Sequence, residues 1–266
     1  MLGKLLKYEI KSTARVFLPI YGLIIALALL NKFFIANNTY VYSNSTNKAM
    51  QIAATVSMMT YVAFIVALFV VTLVVLIRRF YRNLLGDEGY LSFTLPVSIH
   101  SHIDSKLIVT FMWEALSLIV AGFSIFIMTI NGNTMQSFSK FCMGISEVYE
   151  KYGPLAHQLT AEAIIFVILS MLACILQIYA SIVIGNLSGK HKMLASFGVF
   201  IGFGIVQQII LSNVYGGRFG KNIMDGESFA YFMRTELISM IIFSLVFAAV
   251  FYFITDWMLR KKLNIE

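Results

Sequence analysis

Apolar residues gather along this chain into six stretches nearly free of charge, at residues 16–36, 52–77, 107–130, 161–184, 194–211 and 237–257. A helix needs roughly 20 apolar residues to cross the hydrocarbon of a bilayer, so each stretch predicts one membrane-spanning helix. Ahead of the first, Leu2, Leu5, Leu6 and Ile10 recur at helical spacing while Lys4, Lys7 and Lys11 take other positions. That pattern predicts an N-terminal amphipathic helix lying in the membrane interface, with a solvated basic lead-in as the plainer alternative. Pro19 is expected to kink or start the first span. Between the third and fourth stretches, Phe138, Phe141, Cys142, Ile145, Val148, Tyr149 and Tyr152 step by three or four, and Lys140, Glu147, Glu150 and Lys151 lie largely off that stripe. A short external helix, stopped before Gly153-Pro154, is the expected result. It either caps the outer mouth of a pathway or packs on the span tips. The expected fold class is all-α integral membrane: six transmembrane helices in one domain over residues 1–266.

Composition hardens this reading. Of 266 residues, 59% are hydrophobic and 12% charged, against about 45–50% and about 25% in an ordinary soluble domain. That excludes an ordinary water-soluble enzyme and makes the lipid bilayer the solvent. Six spans of about 20 residues use about 120 positions and leave no room for a separate nucleotide-binding domain. In a soluble chain a net charge of +7 could point to nucleic acid. Here its placement argues otherwise. Lys4, Lys7, Lys11, Arg15, Arg78, Arg79, Arg82, Lys106, Lys190, Lys192, Arg260, Lys261 and Lys262 fall on the side of the termini, and the other seven Lys and Arg on the opposite side. The positive-inside rule then puts both termini, and the loops after the second and fourth spans, in the cytoplasm, and no nucleic-acid partner is implied. A cleaved signal peptide is the competing reading of the first span, because Ala26-Leu27-Ala28 has cleavage-site spacing. The basic lead-in of 15 residues is long for that role. Cys142 and Cys174 fall too far apart to bridge and are expected as free thiols.

The segment after the second span is too organised for a tether. Arg78, Arg79 and Arg82 meet the headgroups, a short amphipathic piece presents Phe80, Tyr81, Leu84 and Leu85, and two acids follow between glycines. A second aromatic stretch runs into Pro96, which disfavours helix at Leu95. Exposed apolar side chains on such a loop call for a partner surface, with self-burial in the interface as the alternative. Arg82-Asn83-Leu84-Leu85-Gly86-Asp87-Glu88-Gly89-Tyr90-Leu91, followed by Phe93-Thr94-Leu95-Pro96-Val97, resembles the loop between the second and third spans of bacterial ATP-binding-cassette (ABC) transporter permeases of the type-two exporter class, in a Firmicutes-like form. The order of elements along the whole chain is similar as well, whereas the specific motif covers only residues 82–97.

The resemblance implies a cytoplasmic coupling helix in this loop, inserted in a cleft of a separate ATPase, with Arg82, Leu84, Leu85, Asp87, Glu88 and Tyr90 as docking residues. It implies two ATPase subunits beneath a pair of permease chains, a homodimer or a heterodimer, in the bacterial cytoplasmic membrane. The function so implied is the permease subunit of an exporter of an amphiphilic, drug or antimicrobial-peptide substrate. Such a chain is not itself an enzyme and binds no cofactor; ATP and Mg sit on the partner ATPase. Permeases of this class often carry short re-entrant helices between their last two spans. The stretch 213–235, rich in glycine and aromatics, suits one, or an irregular aromatic-anchored turn.

Other features narrow the chemistry. Gly185-Asn186-Leu187-Ser188-Gly189-Lys190-His191-Lys192 resembles a phosphate-binding loop but has three residues between its glycines where four are needed, and His191 where Ser or Thr would hold magnesium. His100-Ser101-His102-Ile103-Asp104 would align ligands only on an extended backbone, so no metal site is expected. No nucleophile, base and orienting group occur at a credible spacing. Glu114, about two turns into the third span, is the acid suspected of a buried role, and Asp256 is expected to pair with Arg260 one turn on. Tyr61, Gln177, Gln207 and Gln208 are candidates for a translocation path or for interhelical polar contacts, and Gly198 and Gly202 have the small-xxx-small spacing of a helix-packing interface. Two rival functions stay open: a secondary carrier, which predicts ionisable groups strung through the bilayer and often repeated halves, and a non-transporting scaffold or sensor subunit.

Overall fold

The computed structural model of the protein describes residues 2–41, 48–85, 99–130, 132–188, 191–215 and 226–261. Among these, the secondary structure is helical: α1 (Leu2–Val41), α2 (Lys48–Phe80) running into a π-helical turn at Tyr81–Leu85, α3 (Ile99–Thr129), α4 (Gly132–Tyr152), α5 (Pro154–Gly185), α6 (Lys192–Tyr215) and α7 (Gly226–Lys261). Six stretches are long and apolar enough to cross a membrane: Leu6–Phe33, Thr55–Phe80, His100–Thr129, Pro154–Gly185, Lys192–Val214 and Tyr231–Arg260. This is the make-up of a multi-pass helical membrane protein. Each expected span overlaps one of them, but the helices run further than the apolar stretches. Polar residues do not stop a helix without a glycine, a proline or a competing cap. For that reason the residues expected as an interfacial N-terminal helix are the first turns of one 40-residue α1. Pro19 lies inside α1 rather than at its start; its ring forfeits one backbone donor without ending the helix.

The chain forms two compact units, Met1–Leu76 with Ile108–Ser146, and Ile77–Leu107 with Glu147–Glu266. In the first, three helices each turn one stripe inward. The buried positions are Thr13, Phe17, Tyr21, Ile24, Ala28 and Asn31 of α1, Tyr61, Leu68 and Thr72 of α2, and Val109, Trp113, Ser117, Ala121, Ser124 and Met128 of α3. Most of these steps are of three or four, the period at which one face of a helix recurs. Large apolar side chains such as Leu29, Val66 and Ile119 lie exposed on the other faces. A helix apolar all round but packed on one stripe needs an apolar solvent.

The packed stripes carry polar rungs. Trp113 Nε1 donates to Thr13 Oγ1 (2.7 Å), and its ring stacks on Phe17 at 4.7 Å between centroids. Ser117 stands between Tyr21 (2.9 Å) and Thr72 (3.4 Å), joining all three helices at one node. Tyr61 meets Ser124 (2.8 Å), and Asn31 donates to the Ser57 carbonyl (3.2 Å).

In the second unit, α5 packs along both α6 and α7. From Ile175 to Val183 it is buried on every side. Gln177 Nε2 donates to the Phe200 carbonyl of α6 (3.3 Å), and Arg234 Nε of α7 to Glu162 Oε1 of α5 (3.1 Å). At the turn after α5, a Cβ on Gly185 would run into the side chain and backbone of Ser196. Glycine is there for close approach, which gives the loop at Gly185 a packing reason independent of any phosphate. At the other end of α5, Gly153 takes a left-handed φ of 46° and Pro154 begins the helix. This is the usual chemistry of a helix stop followed by a start.

Candidate functional site

The segment that carries the sequence motif is held in the second unit at both of its roots. Phe80, the last residue of α2, is 1% exposed and stacks on Tyr179 of α5, with centroids 4.0 Å apart and planes 14° from parallel. The chain then widens into the π-helical turn Tyr81–Leu85, a rare arrangement that recurs at functional sites. Within this turn Arg82 is exposed and Leu85 half-buried. Asp87, Glu88 and Tyr90, like most of the expected coupling helix, lie outside the described residues, as does the Leu84 side chain.

The segment's far root is the start of α3. Because Ile99 begins a helix rather than an extended run, His100 and Asp104 share a face one turn apart, and both meet the end of α7. Tyr252 Oη donates to Asp104 Oδ1 (3.0 Å) and lies 3.2 Å from His100 Nδ1. His100 Nδ1 is also 3.2 Å from Asp256 Oδ1, while Arg260 donates to His100 Nε2 and forms an ion pair with Asp256 (2.9 Å). These contacts are met together when the imidazole carries its proton on Nδ1 and accepts at Nε2. Ile103, Ser105 and Lys106 on the following turn are buried, so this root is gripped on more than one side. The arrangement has the chemistry of a mechanical joint: two carboxylates, one guanidinium, an imidazole and a phenol, each satisfied by a neighbour on the other helix or one turn away. Among the described residues no group of three His, Cys, Asp or Glu could hold a metal ion.

The remaining sequence candidates separate. Tyr61 and Gln177 are buried and make interhelical contacts, to Ser124 and to Phe200. Gln207 is half-buried and Gln208 exposed on α6. Glu114 is half-buried on α3, and its Oε2 is enclosed with no hydrogen-bond partner among the described residues. A Cβ at Gly198 or Gly202 would meet nothing within 4 Å, and the spanning window of α6 has 0% of its residues buried. These glycines therefore serve no close packing among the described residues. The Asp256–Arg260 pair was legible in the sequence from its one-turn spacing. His100, Asp104 and Tyr252 were not, because about 150 residues separate the two helices and no local pattern links them. The rungs at Thr13, Tyr21, Asn31, Thr72, Ser117 and Ser124 belong to no sequence motif either. Their signal is small or hydroxylated residues recurring on one helical face, as in Ser117, Ala121 and Ser124.

Comparison with family models, with curated proteins and with solved structures returns no match to this chain.

Proposed function

We propose that the chain is the permease subunit of an ATP-driven exporter of the ATP-binding-cassette type, working with two separate ATPase subunits and a second permease chain in the cytoplasmic membrane of a bacterium, its termini cytoplasmic. The observation that carries this reading is the fixing of the motif-bearing segment at both roots, by Phe80 on Tyr179 of α5 and by His100 and Asp104 on α7. A loop that only tethers two spans needs no such grip. A loop that receives force does, because a push on a loosely rooted segment is lost in local bending. Closure of an ATPase dimer beneath the loop would then move α5 and α7 as rigid bodies and change access to the path. ATP and Mg belong to the ATPase chains, and this chain supplies the path. The open glycine face of α6 suits contact with the second permease, since small residues let helix backbones approach closely in lipid. An amphiphilic, drug or peptide cargo fits a chain whose spans are apolar along most of their faces.

The test is recovery of a P-loop ATPase with the affinity-tagged chain from its native membrane, with and without Asp87→Ala combined with Glu88→Ala. The double variant is expected to lose most of the associated ATPase, or to keep it with hydrolysis no longer tied to transport. Unchanged docking together with coupled transport would remove the assigned role from these two acids.

A further inference from the structure

We infer that α4 lies in the membrane interface, with its apolar face sunk among lipid headgroups and upper acyl chains. The inference rests on the membrane-spanning character of the chain and not on the transport reading. At 3.6 residues per turn, Met135, Phe138, Phe141, Cys142, Ile145 and Val148 fall within an arc of about 140° on α4. The opposite arc carries Gln136, Lys140, Glu147, Glu150 and Lys151, with Met143 as its one large apolar side chain. The apolar side chains are left uncovered by the chain itself: Phe141 is 63% exposed, Met135 58% and Val148 49%. Five large apolar groups and a thiol on one stripe need a cover, and position says which. One connection of two residues joins α4 to the spanning α3, and Gly153 alone joins it to the spanning α5, so the helix starts and ends where two spans leave the bilayer. Near its start the stripe touches a span directly, with Phe138 edge-on to Phe126 at 5.8 Å. Near its other end Tyr149 hydrogen-bonds Thr160 in the second turn of α5 and lies edge-on to His157 at 4.7 Å. Tyr149 and Tyr152 continue the stripe at the C-terminal end of α4, and tyrosines are enriched at the headgroup level, where an amphipathic ring is at home.

The charge pattern narrows the lipid chemistry. Lys140 and Lys151 balance Glu147 and Glu150 on the polar arc, leaving no net charge to be drawn to anionic headgroups. Insertion is therefore driven by apolar burial and is independent of anionic lipid.

The native cysteines make the test direct. In the full-length chain with Cys174→Ser, a nitroxide is attached at Cys142. With both cysteines changed to serine, nitroxides are attached in separate variants at Ile145→Cys, Lys140→Cys and Glu147→Cys. The proteins are reconstituted in phosphatidylcholine vesicles, with and without phosphatidylglycerol, and collision rates with oxygen and with a water-soluble nickel chelate are compared. Labels at 142 and 145 are expected to favour oxygen several-fold over those at 140 and 147, with the same contrast in both lipids. Nickel access equal at all four positions would overturn the inference, because the face would be in water. Labels at 142 and 145 shielded from both reagents would overturn it too, because the face would be covered by protein. A contrast present only with phosphatidylglycerol would refute insertion by apolar burial alone.

Discussion

The hydroxyl of Tyr61 meets Ser124 at 2.8 Å inside the first unit, where both groups are buried and each is the other's partner across two helices. Interhelical hydrogen bonds in membranes contribute about 0.6 kcal/mol on average and about 1.7 kcal/mol at most. Tyr61→Phe and Ser124→Ala should therefore each lower the unfolding free energy in mixed micelles by an amount in that range, and the double variant by no more than the larger of the two. Additive losses would show that the hydroxyls act separately. At the joint between α3 and α7, Tyr252→Phe removes the donor to Asp104 but keeps the ring. Amide exchange in the first turns of α3 should speed up while that of the buried stretch of α5 stays unchanged; exchange in α3 equal to that of the parent protein would mean the phenol does not hold this root. A polar residue inside an apolar stretch was visible in the sequence at Tyr61 and Gln177, but its partner was not. The partners of both are distant in sequence, and Ser124 is too ordinary a residue to stand out alone.

Among the elements, the glycines divide by what surrounds them. Gly185 is pressed against Ser196, whereas Gly198 and Gly202 have open space where a Cβ would go. Gly185→Ala should cost about 1–3 kcal/mol, the range for overpacking a close contact, read as a lower unfolding midpoint. Gly198→Leu with Gly202→Leu should leave that midpoint almost unchanged and weaken the proposed pairing with a second chain, read by cross-linking in vesicles. A normal dimer in the double variant would place the pairing surface elsewhere. The spans themselves were legible, because 20 apolar residues in a row have few other uses. Their ends were not. Lys4, Lys7 and Lys11 separate a basic segment from an apolar one by composition, yet the backbone runs on through both as α1, since composition changes solvent preference without breaking hydrogen bonds. The stop at Gly153-Pro154 could be read in advance because it rests on local backbone chemistry.

At the scale of the molecule, six spans leave a few loops, and one of them is both rooted in α5 and α7 and written with two acids between glycines. The roots could not be read from sequence, since Phe80 with Tyr179, and His100 with Asp256, join residues about 100 and 150 positions apart. The motif itself could be read, because it is contiguous. The proposed role makes this chain one half of a machine whose ATPase is another protein. The most direct measurement is to purify the tagged chain from its native membrane, identify what accompanies it, and assay solute movement in vesicles with and without the accompanying protein. A P-loop ATPase is expected in near-equal amount, with transport that requires both it and ATP. A chain recovered without any ATPase, and vesicles that transport with this chain alone, would contradict the proposed role.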